Sequence, residues 1–255
     1  MGVNGSTASA EYPATIRRPR VSRLVGLTVV IIATSAGNCY RAAPAYDLFS
    51  VPPEEFHSKV GRVVLAPTVV QTDVLVPESI LVQLDSLIVR KLNSAGFDVV
   101  PSFVYEEIWT RLNEEAGGFF DPYTGEQDQE LFDETVEQLK QELRDGFDPD
   151  AIAYPEVWPV DVPVSYGRAM WDGVERPASG LVEVLALSLI VVVEDMDGTE
   201  LYVNGGGLGV TQAWDRTLGI VPLPPAAIFQ PEDCLANAVD VSLNPLLQDR
   251  PQQQP

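Results

Sequence analysis

Cys39 is the residue whose neighbours most narrowly define a chemistry. It follows a basic cluster (Arg17, Arg18, Arg20, Arg23), an apolar run from Leu24 to Ala33, and the segment Thr34-Ser35-Ala36-Gly37-Asn38. A basic region, a short apolar core and a run of small residues make up an export signal. The apolar run is about ten residues, short of the roughly 20 that span a bilayer as a helix. Cys39 stands where a bacterial lipoprotein signal places its acylated thiol, although Asn38 replaces the small residue usual just before it. Cleavage after Ala36, where Thr34-Ser35-Ala36 loosely fits small-x-small, is a second outcome, and a retained N-terminal anchor a third. In an oxidising compartment Cys39 can instead pair with Cys234, the only other cysteine. Otherwise Cys234 reads as a small apolar core residue.

The remaining reactive residue types form no known catalytic pattern. His57 is the single histidine and reads as an exposed loop residue. With no second histidine and no paired cysteines, an ordinary zinc site is not assembled. No nucleophile elbow, P-loop or His-Glu-x-x-His occurs. Asp195 and Asp197 flank a turn and are read as turn residues ahead of metal ligands. Asp121 to Glu130 fails the calcium-loop spacing, because Gly125 falls at its fifth position. Gly205-Gly206-Gly207 lacks the helix that a phosphate-cradling loop needs directly after it. Val210-Thr211-Gln212 instead looks extended, so close backbone packing or a bulge is expected. The expectation is therefore a protein that is not an enzyme, with no catalytic, cofactor-binding or metal residues and no cofactor.

Charge narrows the partners. The four arginines of the signal take part of the 16 basic residues, and Glu11 is one of the 37 acidic ones, leaving 12 against 36 beyond it, a net charge of −24. Such a chain repels phosphate backbones and anionic head groups, so no nucleic acid is expected as a partner. A membrane is expected to be met only through an N-terminal anchor, if Cys39 is acylated. Removing the signal leaves roughly 215 residues, enough for one domain with a sizeable core.

The elements that would carry any surface can be placed along the chain. Residues 1–38 are read as the export signal with an atypical N-terminal extension, for which Val21 offers an alternative start. Residues 39–59 are read as a linker, 60–247 as a single α/β domain and 248–255 as a tail. Val60 to Ala66, stopped by Pro67, is a buried strand. Pro77-Glu78-Ser79 opens a helix with an apolar stripe at Ile80, Leu81, Leu84, Leu87, Ile88 and Leu92, stopped by Gly96. Phe97 to Val100 is the next strand, so a parallel pair with a right-handed crossover is expected. Ser102 caps a second helix to about Ala116, and Asp128 to Asp145 forms a third. Fifteen acids between Glu106 and Asp150 read as a solvated helical face.

Tyr154 to Tyr166 carries prolines at 155, 159 and 163 and is expected as an edge strand or extended arm. Leu181 to Val193 is expected as a central strand covered on both faces. Asp197-Gly198 turns it back as a hairpin. A last helix starts at Pro231-Glu232-Asp233 and is expected to end at Asn244-Pro245.

This order of elements resembles a group of bacterial envelope lipoproteins that includes the curli-secretion lipoprotein and the N-terminal domain of TolB. The resemblance is carried by Arg62 to Pro67, the helix from Glu78, Gly96 to Pro101, the Trp171-Asp172-Gly173 turn, the hairpin at Asp197-Gly198, the glycines at 205–207 and the helix from Ala236 to Pro245. It implies a three-layer α/β domain with a mixed sheet and a non-enzymatic role in envelope assembly or transport. No functional residues carry over from it.

The expected function is an exported accessory or interaction protein of the bacterial envelope, in the periplasm or at the outer membrane, with an envelope protein or a second copy as partner. A periplasmic small-ligand-binding domain, using the cleft at the C-terminal ends of parallel strands, and a carboxylate-dependent hydrolase are the alternatives. Tyr154, Trp158 and Tyr166 are the candidate partner contacts, because large aromatics are enriched in interface cores. The competing reading has these rings cover the sheet's own core.

Overall fold

The computed structural model describes residues 48–120, 123–230 and 233–248. The signal region, Cys39 and the tail from 249 onward lie outside the described residues, and the export and acylation expectations lie there with them.

The fold is α/β, with a curled mixed sheet between two helical layers. It begins before the expected domain start. Leu48 to Ser50 lies on a sheet edge, and α1 (Pro53–Lys59) follows. This segment, expected as linker, enters the core because Phe56 is 1% exposed and Phe49 packs on Tyr202 with ring centroids 5.0 Å apart. His57 belongs to α1 and is half-buried against Phe56, in place of the exposed loop site expected.

The parallel part of the sheet comes next. It contains β1 (Arg62–Leu65), the short β2 (Val69–Val70), and β3 (Asp98–Val100), with α2 (Glu78–Ser94) crossing between them. Leu84, Ile88 and Leu92 recur every four residues and form the buried stripe of α2. α3 (Ser102–Ala116) and α4 (Gln129–Phe147) follow. Asp128 caps α4 by accepting from the Leu131 amide at 3.0 Å. Ser102 does not cap α3; Pro101 holds that place, and the Ser102 hydroxyl donates to Asp85 instead.

β4 (Ala151–Ser165) is the correction to the edge-strand reading. It lies inside the sheet, parallel to β1 over 151–153 and to β2 at 156–157. On its other side it is antiparallel to β7 (Glu183–Asp195) along thirteen paired positions. The prolines fit because of their spacing. The Ala153 and Val157 carbonyls face β1 and β2, and the Val164 amide faces the β7 side. Donor direction alternates along a strand, so Pro155, Pro159 and Pro163 all turn away from β7. Pro155 falls between the β1 and β2 pairings, and Pro159 and Pro163 lie beyond them. The edge expectation therefore holds only for one side of β4 around Pro159, between the β2 pairing that ends at Val157 and the pairing of Val164 and Ser165 with Ala169 and Arg168.

β5 (Arg168–Trp171) and β6 (Val174–Pro177) make a small hairpin folded over the upper sheet. β8 (Glu200–Val210) pairs with β7 and includes all the glycines at 205–207. They permit close packing. A Cβ at Gly206 would lie 1.9 Å from the Ala238 carbonyl oxygen, and one at Gly207 would lie 2.1 Å from Val174 Cγ2. β9 (Gln212–Asp215) and β10 (Gly219–Pro222) form a separate two-stranded sheet, and α5 (Pro225–Ile228) and α6 (Cys234–Gln248) complete the chain.

α6 does not end at Asn244-Pro245; Pro245 lies inside it. Proline removes the amide that would bond the Val241 carbonyl, and Asn204 on β8 donates to that carbonyl at 2.9 Å. Tyr202 also donates to the Ser242 carbonyl at 2.5 Å. α1, α2 and α6 pack on one sheet face around Val63, Ala153 and Leu189. α3 and α4 cover Val64, Ile152 and Met196 on the other.

Candidate functional site

The long β4–β7 ladder runs past the helical layers and ends in a cluster of turns. Ser165 pairs with Arg168, so Tyr166 and Gly167 alone make the β4–β5 turn, with φ of 52° and 74°. Two positive φ values are what a tight hairpin turn of this hand demands, and a tyrosine adopts the first at some cost. Its ring is 95% exposed. The β5–β6 turn is built the same way from Asp172 and Gly173. That turn is tied inward: the Ser188 hydroxyl donates to Asp172 at 2.5 Å, and the Gly207 amide donates to the Asp172 carbonyl at 2.9 Å.

The β9–β10 hairpin stands beside this end. Trp214 pairs across it with Ile220. The indole lies over Gly180, where a Cβ would sit 2.8 Å from Cδ1. The Asp215 carboxylate accepts from the Thr217 and Leu218 amides at 2.7 and 2.9 Å, which holds its carboxyl below the usual range. Trp214, Leu218, Ile220 and Val182 are exposed. Together with Tyr166 they give this end an apolar surface of the kind that marks interaction sites.

The three aromatics proposed from sequence separate. Tyr154 belongs to the core, packed with the α3–α4 layer and edge-on to Tyr105 at 6.4 Å. Trp158 is 43% exposed, and its Nε1 donates to Glu156 at 2.5 Å. Its backbone pairs with Ser188 of β7. Tyr166 is at the exposed end. Val182, Trp214, Leu218 and Ile220 were not anticipated. The available signal was Trp214 and Ile220 flanking Asp215-Arg216-Thr217-Leu218-Gly219, a glycine-bearing hairpin loop between extended runs.

Other groups singled out by sequence are engaged within the fold. Asp195 accepts from the Asp197 and Thr199 amides at 3.0 and 2.8 Å, and Asp197 pairs with Arg144 at 2.9 Å. Beyond the C-terminal ends of β1 and β3, Asp85 accepts from the Thr68 amide at 3.1 Å, the Thr68 hydroxyl at 2.5 Å and the Ser102 hydroxyl at 2.8 Å. Burial nonetheless raises its carboxyl above the ordinary value. These bonds tie β1, α2 and α3 together. Among the described residues Cys234 has no disulfide partner; its buried sulfur lies 3.1 Å from the Phe229 carbonyl, and burial pushes its pKa up, while Cys39, its pairing candidate, lies outside the described residues. Among the described residues no three His, Cys, Asp or Glu side chains are grouped to hold a metal ion, and no helix is long and apolar enough to cross a membrane.

No family model and no curated protein matches the chain. Among solved structures, the lipoprotein GNA1162 from Neisseria meningitidis is similar to it at 17% identity over 58% of this chain and 81% of that one, with a TM-score of 0.32. At that level of likeness nothing is carried over to this chain.

Proposed function

We propose that the protein is an exported accessory and interaction module of the bacterial envelope, working without catalysis in the periplasm or at the outer membrane. Acylation of Cys39 would tether it to a membrane. The observation that carries the reading is the apolar end formed by Tyr166, Val182, Trp214, Leu218 and Ile220, exposed in an otherwise strongly acidic chain. The open side of β4 at Pro159 supports it, since a sheet edge that presents proline is guarded against indiscriminate strand pairing.

The test has two parts. Intact mass of the protein recovered from the envelope fraction should show a chain beginning at Gly37, or at an acylated Cys39; a chain beginning at Met1 and retained in the cytosol would sink the reading. In the second part, proteins crosslinked to the wild-type chain in its own envelope should be lost with Tyr166→Ala combined with Ile220→Asp, while circular dichroism is unchanged. Retention of every crosslink by that variant would remove the apolar end as the contact surface.

A further inference from the structure

We infer that the apolar end is a homotypic interface, through which two copies of this chain join end to end by their β9–β10 hairpins. The inference rests on the reading above and names the partner of that surface.

The hairpin itself gives the first reason. Among the described residues β9 and β10 pair only with each other and with no strand of the main sheet. A two-stranded ribbon is marginal in water unless another layer or further strands support it. Trp214 gains one such contact over Gly180, yet it remains 50% exposed and Ile220 56% exposed. A two-fold copy would place the same hairpin against itself, so each copy would supply the strands and apolar side chains that the other lacks.

Area and charge agree. A stable interface takes roughly 800 Å² from each partner, and a buried aromatic supplies about 150–250 Å². Tyr166 at 95%, Val182 at 88% and Leu218 at 76% exposure, with Trp214, Ile220 and the two strands, provide surface on that scale. The acidic α3 and α4 cover the opposite end of the sheet, near Ile152 and Met196. The 13 residues of β7 span about 40 Å. End-to-end joining holds the two acidic layers far beyond the screening length of about 8 Å at physiological salt. Among the described residues Arg216, in the hairpin turn, has no carboxylate partner within the chain, while Glu183 is exposed at the same end. The two carry opposite charges available across a two-fold axis.

Sedimentation velocity of the full mature protein over a concentration series is the test, with small-angle scattering of the same samples. A dimer is expected, with a maximum dimension close to twice that of the monomer. Ile220→Asp should weaken it at least tenfold without changing circular dichroism. Leu218→Asp, at an exposed turn, should do the same if the first variant perturbs folding. A monomer at every concentration overturns the inference, while the crosslinking test above can still succeed with another protein. A dimer that survives both substitutions, or has a compact side-by-side shape, also overturns it. So does a monomer that sediments with anionic lipid vesicles and loses that ability on Ile220→Asp, which would assign the surface to a bilayer.

Discussion

Asn204 stands in for the backbone donor that Pro245 removes, its side-chain amide 2.9 Å from the Val241 carbonyl oxygen. The helix can therefore run through proline to Gln248 instead of stopping there. Asn204→Ala should cost about 1–3 kcal/mol, the range for stranding a buried acceptor. In a Pro245→Ala background the new amide can bond Val241 itself, and the same Asn204→Ala change should cost less. Urea unfolding of the four proteins in a double-mutant cycle checks the coupling; equal costs in both backgrounds would break the link.

Two glycines should respond oppositely to alanine. At Gly206 the added methyl meets the Ala238 carbonyl oxygen at 1.9 Å, a backbone atom that cannot turn aside. Gly206→Ala should destabilise by about 3 kcal/mol or more, the upper end of overpacking effects. Gly146 lies within α4 with nothing inside 4 Å of its added Cβ. Gly146→Ala should stabilise by about 0.5–1 kcal/mol through helix propensity. Thermal melts of both variants decide the matter.

Asp85 gives a pH dependence with a defined sign. Burial raises its carboxyl above the unfolded value of 3.8, so between that value and the higher folded one the folded protein holds a proton that the unfolded chain has released. The stability it contributes is fully present below 3.8 and is lost as pH rises through the folded value. Asp85→Asn keeps an acceptor for Thr68 and a donor for Ser102 without the titration. Relative to wild type, the variant should gain stability from about pH 4 to about pH 7. Urea midpoints at the two pH values measure it, and a constant difference would refute the assignment.

Pro159 should matter for association more than for folding. Its nitrogen faces the open side of β4, between the β2 and β5 pairings, so Pro159→Thr restores a strand donor on an unpaired edge. The ladder to β7 stays intact, and the monomer's melting temperature should change little. Light scattering should show faster aggregation than wild type; unchanged scattering would mean that another element shields this edge.

Much of the fold was legible in the sequence because its signals were local. The α2 stripe, the Asp-Gly hairpin and the twice-covered β7 need only periodicity and turn chemistry to be read. The misreadings share a physical cause, compensation from residues distant in sequence. Pro245 reads as a stop until Asn204, 41 residues earlier, supplies the missing bond. Residues 39–59 read as a linker until Phe49 and Phe56 are set beside Tyr202 and Phe97. The site was less legible still. Tyr154 and Tyr166 are the same residue type near the two ends of one strand, and only the extent of the α3–α4 layer decides which of them is covered.

The four-residue spacing of the β4 prolines restricts insertions and deletions more than substitutions. Many residues could replace Pro155, Pro159 or Pro163 and leave the β7 ladder whole. Adding or deleting one residue between them would reverse the parity of everything beyond, turning a proline nitrogen into that ladder and exchanging the buried and exposed faces. Homologues of this chain should therefore vary freely in which of the three prolines they keep, yet hold the distance from Ala151 to Ser165 constant or change it by two.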